Sequence, residues 1–238
     1  AGNLPGLVST VEEITSFTAD ERGVKILHVS DIHNNPAAFS FLQKMVSSFG
    51  VDLIIDTGDI SDFGTSLEGN FLEKIRELSV PYYFVPGNHD SPEIVDALKR
   101  IRNVRVLQGK RVFRGITVYG EPDPAAGDRN VLMPAQEELK KASEALQDDL
   151  SAQGYPYILA VHNPALAEGL IGQVPVILHG HNHILGIDSI RGSTVINAGT
   201  TGAAGLRGLE KKDIPYSVAL LHFSADNRQN RLAAVDLI

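Results

Sequence analysis

The chain has 238 residues, enough for one large domain or two small ones, and no cysteine, which excludes disulfides, thiolate metal sites and a cysteine nucleophile. Its net charge of −8 argues against a global attraction to nucleic acid or to an anionic membrane face. No apolar run approaches the length of a membrane span, so the 43% hydrophobic content is spread through a globular pattern.

Residues 1–22 show no clear periodicity and read as a lead-in packed on the outside of a single domain covering 23–238. From Val24 onward, short apolar runs alternate with amphipathic stretches, the signature of an α/β fold. Strands are predicted at Val24–Val29, Leu53–Ile55, Tyr82–Val85, Val104–Leu107, Ile116–Tyr119, Tyr157–Val161, Val174–Leu178, Ile184–Ile190, Thr194–Ile196, Ser217–His222 and Leu232–Leu237. The first helix is predicted at Pro36–Ser48, with Asn35 as its cap and Phe39, Leu42, Met45 and Val46 on one face. Ser91-Pro92 starts another, and Phe71–Leu78 and Pro134–Leu150 complete the set. Two sheets packed face to face with helices outside accommodate this order. Residues 121–130 are turn-rich and read as a mobile loop.

Five polar clusters each follow an apolar run: Asp31-Ile32-His33, Gly58-Asp59, Gly87-Asn88-His89-Asp90, His162, and Gly180-His181-Asn182-His183. Ligands of open α/β sheets bind at the carboxyl ends of the strands, where all five fall. Any one piece alone has a bland explanation, such as a helix cap at Asn88 or Asp90 or a solvated strand-end histidine. Their joint occurrence, in order and each after a strand, points instead to metal chemistry. Asp31, Asp59, Asn88, His33, His162, His181 and His183 supply two carboxylates, one amide oxygen and four imidazoles, which suit Mn, Fe, Zn or Ni, with manganese favoured. Seven groups exceed one tetrahedral ion and suit two ions sharing a carboxylate, roughly 3.5–4 Å apart. His28, His179 and His222 fall outside the set and read as structural, with His179 placed to support a ligand.

The order Asp-x-His, Gly-Asp-x-x-Asp, Gly-Asn-His-Asp, His, Gly-His-x-His between Asp31 and His183 resembles the calcineurin-like metallophosphoesterases. The resemblance implies a four-layer α/β/β/α sandwich of two mixed sheets. It also implies one ion on Asp31, His33, Asp59 and His183 and a second on Asp59, Asn88, His162 and His181, with Asp59 bridging. In the Ser/Thr protein phosphatases of that family an arginine follows the second Asp of the second motif; here Phe63 follows Asp62, which disfavours a phosphoprotein substrate. The implied reaction is hydrolysis of a phosphomonoester or phosphodiester by a metal-bridging hydroxide. His89 would protonate the leaving group, and the Asp62 carboxylate would orient His89. The alternatives are a non-catalytic scaffold of the same fold, although no ligand is missing, or a nuclease.

Ser30-Asp31-Ile32-His33, Asn35–Phe39 and Gly202–Glu210 further resemble a bacterial branch with a membrane-spanning N-terminal part. With the chain opening at Ala1, this implies an extracytoplasmic, membrane-tethered domain; a cytoplasmic location is the alternative. The expected partner is a small phosphate ester, with no nucleic acid and with a membrane engaged only through the tether. Gly199–Gly208 is positioned to offer backbone N–H groups or Arg207 to a phosphate, or else is a hairpin loop. Residues 97–120 carry Lys99, Arg100, Arg102, Arg105, Lys110, Arg111 and Arg114 and no acid; with little aromatic interleaving they read as a solvated face.

Overall fold

A computed structural model describes residues 23–63, 72–127, 133–203, 215–226 and 229–238. The predicted lead-in 1–22, Phe71, residues 128–130 and residues 204–210, Arg207 among them, lie outside the described residues.

Twelve strands form two six-stranded sheets. The first contains β1 (Val24–Val29), β2 (Leu53–Asp56), β3 (Tyr82–Phe84), β4 (Val104–Val106), β11 (Ala219–Asp226) and β12 (Gln229–Leu237) in the order β12-β11-β1-β2-β3-β4. β1 to β4 run parallel, and β11 and β12 are antiparallel to their neighbours. The second contains β5 (Gly109–Phe113), β6 (Ile116–Glu121), β7 (Ile158–Val161), β8 (Val176–His179), β9 (Leu185–Ile190) and β10 (Ser193–Ala198) in the order β5-β6-β7-β8-β10-β9. There β6, β7, β8 and β10 are parallel and the two edge strands are antiparallel, so both sheets are mixed.

Strand alternation divides the buried residues among three interfaces. Leu27, Val29, Ile54 and Phe84 face α1 (Pro36–Phe49) and α2 (Pro92–Lys99), meeting Phe41, Leu42 and Leu98. Ile26, Ile55, Tyr83 and Val85 face the other sheet, meeting Val118, Ile158, Leu178 and Ile196. The far side of the second sheet packs Leu159, Val161 and Ile177 against Leu146 and Leu150 of α3 (Gln136–Gln153). Three apolar seams separate four layers, as expected.

Local signals explain the helix ends. Asn35 accepts the Ala37 N–H at 3.0 Å, Pro36 opens α1, and Gly50 closes it at φ 64. Ser91 caps α2 ahead of Pro92. At 71–78, where an α-helix was predicted, the described residues form only a 3-10 turn at Glu73–Glu77. β5 was not predicted: Lys110 and Arg111 are exposed on this edge strand, and too little of it is buried to leave an apolar run. Among the described residues no helix is long and apolar enough to cross a membrane.

Candidate metal centre

The polar clusters all leave the carboxyl ends of parallel strands: Asp31 and His33 after β1, Asp59 after β2, Asn88 and His89 after β3, His162 after β7, and His181 and His183 after β8. To turn their side chains back onto one point the backbone takes unusual conformations. Asp31, His33, Asp59, His181 and His183 all have positive φ, between 46° and 74°, among nine such non-glycine residues described. Each left-handed residue of this kind costs on the order of 1–3 kcal/mol, a cost typical of functional sites. Glycines make the packing possible. A Cβ at Gly87 would overlap the Asp59 carboxylate and lie 2.7 Å from the Asp59 backbone nitrogen, and one at Gly180 would overlap Ser30 and Asp31.

Two donor groups result. Asp31, His33 and His183 form the first, and Asp59, His162 and His181 the second. In the first, His33 Nε2 and His183 Nε2 are 3.2 Å apart, and Asp31 Oδ1 lies 3.0 Å from His183 Nε2 and 3.6 Å from His33 Nε2. In the second, His162 Nε2 is 3.1 Å from His181 Nδ1 and 3.2 Å from Asp59 Oδ2. The groups adjoin, because the His181 N–H donates to Asp31 Oδ2 at 3.0 Å. Paired ring nitrogens and carboxylate oxygens converging this closely suit a divalent cation in each group. Asn88 Oδ1 is buried without a hydrogen-bond partner among the described residues, as an additional oxygen ligand would be.

The surroundings set ring orientations. His162 Nδ1 lies 2.8 Å from the Thr57 carbonyl, so Nδ1 carries a proton and Nε2 is the atom turned toward the donor group. His89 Nδ1 is likewise fixed, 2.7 Å from the Asp62 carbonyl, and its Nε2 faces Asp59 Oδ2 at 3.9 Å. The sequence reading had the Asp62 carboxylate orient His89. The backbone carbonyl of Asp62 does so instead, and the carboxylate turns the other way, Oδ1 lying 3.2 Å from His33 Nδ1.

Asp90 plays a part that its sequence position concealed. Its Oδ2 accepts the N–H groups of Asp59 and Gly87, both at 2.8 Å. Its Oδ1 accepts those of Ile60 and Ser61, at 3.1 and 3.2 Å, and the Ser61 hydroxyl at 3.3 Å. One buried carboxylate thereby locks the loops after β2 and β3 together. Asp123, in the stretch read as a mobile loop, is also buried and tied to this edge: its N–H donates to the Pro86 carbonyl, and the Gly127 N–H donates to the Asp90 carbonyl. The start of the glycine-rich segment packs behind the first cluster. The Thr201 N–H donates to the Ser30 carbonyl at 2.8 Å and the Thr200 hydroxyl to the Asp31 carbonyl at 2.8 Å. His28 is buried against Thr57, His179 lies beside Gly180, and His222 pairs with Asp236 at 2.8 Å.

Electrostatics follow the geometry. Burial raises the Asp31 carboxyl, but contacts from His183 and His33 and the charge of His162 outweigh it and hold the group well below the ordinary carboxylate range. Asp59 is lowered in the same way: burial opposes ionisation, and His162 overcomes it. Burial depresses His33 and His162, yet Asp31 and Asp62 bring the former up to about 10, and Asp59 brings the latter up to about 10. Burial and the charge of His162 lower His181.

These features agree with the comparisons to known proteins. A sequence profile described as calcineurin-like phosphoesterase matches residues 24–185. The chain is 23% identical over 147 residues to the DNA double-strand break repair protein Mre11 of Saccharolobus solfataricus, covering 50% of this chain and 39% of that protein. It is 39% identical over 69 residues to a probable glycerophosphodiester phosphodiesterase, GpdQ, of Arcobacter nitrofigilis, covering 29% of this chain and 20% of that one. The matches thus span well under half the length of either relative. The solved structure of TT1561 from Thermus thermophilus superposes with a TM-score of 0.61 at 17% identity, covering 89% of this chain and 98% of that one, which establishes the shared fold. The chain belongs to the calcineurin-like phosphoesterase family.

Proposed function

We propose that the chain hydrolyses a small phosphate ester with two divalent cations, which Asp31, His33 and His183 and Asp59, His162 and His181 would hold, with Asp59 shared between them and Asn88 as a further ligand. The observation that carries this reading is the pair of adjoining donor groups, each drawing on both sheets. When bound, the cations would supply a lowered water pKa and positive charge beside the phosphate oxygens. The protein's own contribution is placement. Asp62 and the Thr57 carbonyl fix the rings of His33 and His162. His89, with Nδ1–H held by the Asp62 carbonyl, presents Nε2 to the same edge. A neutral His89 in this tautomer can only accept a proton at Nε2, so protonation of a leaving oxygen requires the imidazolium form. Exposed apolar side chains border the edge: Phe63 beside Asp62, Ile184 beside His183, and Met133, whose sulfur is 3.8 Å from Asn88 Nδ2. They favour an ester with an apolar organic part.

The partial likeness to Mre11 keeps a nuclease as the second reading. Metal analysis of wild type and Asp59→Ala, with turnover of nitrophenyl phosphate, bis-nitrophenyl phosphate and single-stranded DNA in the presence of Mn, tests both. Two ions per wild-type chain, loss of both in Asp59→Ala, and turnover of the small esters are expected. Turnover of DNA alone would replace the reading with the nuclease, and metal binding without any turnover would leave a scaffold.

A further inference from the structure

A cavity of about 690 Å³ opens at the opposite end of the strands from the metal centre, lined by Arg76, Arg102 and Arg105 together with Tyr83, Phe113 and Pro81. Pro81 precedes β3 and Asn88 follows it, so the two ends lie roughly 20 Å apart along extended chain. The cavity sits where the first sheet ends in β4 and the second in β5, at one mouth of the seam between them. Tyr83 and Arg105 are cross-strand neighbours, and Tyr83 packs edge-on against Phe113 with ring centroids 6.3 Å apart.

The wall is a built structure. Asn103 Nδ2 shares its two hydrogens among the carbonyls of Ile75, Leu78 and Val80, 2.9, 3.0 and 3.2 Å away, closing the loop before β3 onto the one before β4. Its charge is only partly compensated. Among the described residues no carboxylate lines the cavity. Arg76 pairs with Glu73 at 2.7 Å, but the Arg105 guanidinium donates only to the carbonyls of Arg102 and Val104. Among the described residues neither Arg102 nor Arg105 has a carboxylate partner. In the same basic stretch Lys99 pairs with Asp96 and Arg114 with Asp52, both away from the cavity. In a chain of net charge −8, clustered unpaired guanidiniums raise the energy of the free protein and create a local field that attracts anions. Guanidiniums bind phosphate and carboxylate oxygens in pairs, and the aromatic wall suits a planar, apolar body. The volume falls within the roughly 300–1,000 Å³ common to small-ligand sites.

We propose that this cavity binds a small organic anion, a phosphate or carboxylate carried on an aromatic or otherwise planar body, independently of the metal centre. Anilinonaphthalene sulfonate is a suitable probe, because its sulfonate stands for the anionic group and cannot be hydrolysed as a phosphate ester. Fluorescence titration of the metal-loaded wild type should show saturable binding that weakens as salt is raised. Arg102→Glu/Arg105→Glu should weaken it at least about tenfold through loss of charge-assisted hydrogen bonds. Nitrophenyl phosphate turnover should be unchanged. Arg102→Gln/Arg105→Gln keeps much of each side chain's length and repeats the test if charge reversal impairs folding. Phenylphosphonate, which has no ester bond to hydrolyse, should displace the probe. Equal binding by wild type and a folded double variant overturns the proposal. So does displacement by a single-stranded oligonucleotide but not by phenylphosphonate, which would mark an extended polyanion surface instead.

Discussion

Asp90 offers a sharp test of how the metal edge is held. Asp90→Ala strands four buried backbone N–H groups, those of Asp59, Ile60, Ser61 and Gly87, together with the Ser61 hydroxyl, which can still turn to the His89 carbonyl 2.8 Å away. An unsatisfied buried donor costs about 1–3 kcal/mol. The vacated space has room for about one water, which accepts two of the four, so the expected net loss is about 3–5 kcal/mol. Domain stabilities are typically about 5–15 kcal/mol, so much of the fold's margin would go. Asp90→Asn is the more telling variant. Each carboxylate oxygen receives at least two donors, so either amide orientation points an NH2 at two N–H groups, and about 2–4 kcal/mol should still be lost. Urea unfolding in a chelator separates this loss from any change in metal binding. An Asp90→Asn midpoint equal to that of wild type, at equal slope, would show that the carboxylate does not organise the loops.

Gly87→Ala should cost about 2–3 kcal/mol and abolish metal retention, because its Cβ meets the Asp59 backbone nitrogen at 2.7 Å and cannot be relieved by side-chain rotation; full metal content in that variant refutes the packing argument. His89→Ala should keep its metals and lose more activity on alkyl esters than on nitrophenyl esters, whose leaving group departs without a proton. An equal loss on both would place His89 on the phosphate instead of the leaving group. The metal-free pH dependence has a definite sign. His33 and His162, raised to about 10, contribute stability that is complete below about 6.5 and lost as pH rises toward 10. Asp31 and Asp59, being lowered, contribute stability that is complete above about 4 and lost in acid. Metal must displace the histidine protons, so the gain in melting temperature on adding Mn should grow from about pH 6 to about pH 9, and calorimetry in buffers of differing ionisation enthalpy should register proton release. A gain that does not change with pH excludes these histidines as ligands.

The strands were legible in the sequence where both faces are buried, as at Ile26 to Val29 and Ile158 to Val161, because continuous burial writes a continuous apolar run. β5 was not, since an exposed edge leaves only Val112 and Phe113 apolar, and Val112 itself is exposed. At the candidate site, residue types and their places after strands brought the donor set into view, and the structure converges Asp31, His33, His183, Asp59, His162 and His181. The supporting carboxylates were harder to read. Asp62 and Asp90 lie in short polar clusters where an acid also serves as a turn or helix cap, and their partners lie on other loops. No local pattern records which of two nearby rings a carboxylate faces. Asp123 was hidden in the same way by a turn-rich composition that suggested freedom where hydrogen bonds impose a fixed position.

Both donor groups draw on both halves of the sandwich. Asp31, His33 and Asp59 come from the first sheet, and His162, His181 and His183 from the second. An ion in either group would therefore act as a clasp between the two sheets, added to the apolar seam and to the hydrogen bonds from His162 to the Thr57 carbonyl and from the His181 N–H to Asp31. His33 and His183 stand 150 positions apart, so an ion there would tie together two distant stretches of chain and, binding only the folded arrangement, would stabilise it by mass action. The same cations proposed for chemistry would thus make the two sheets one mechanical unit at the carboxyl edge, and a chelator would then open the clasp as well as remove the proposed activity.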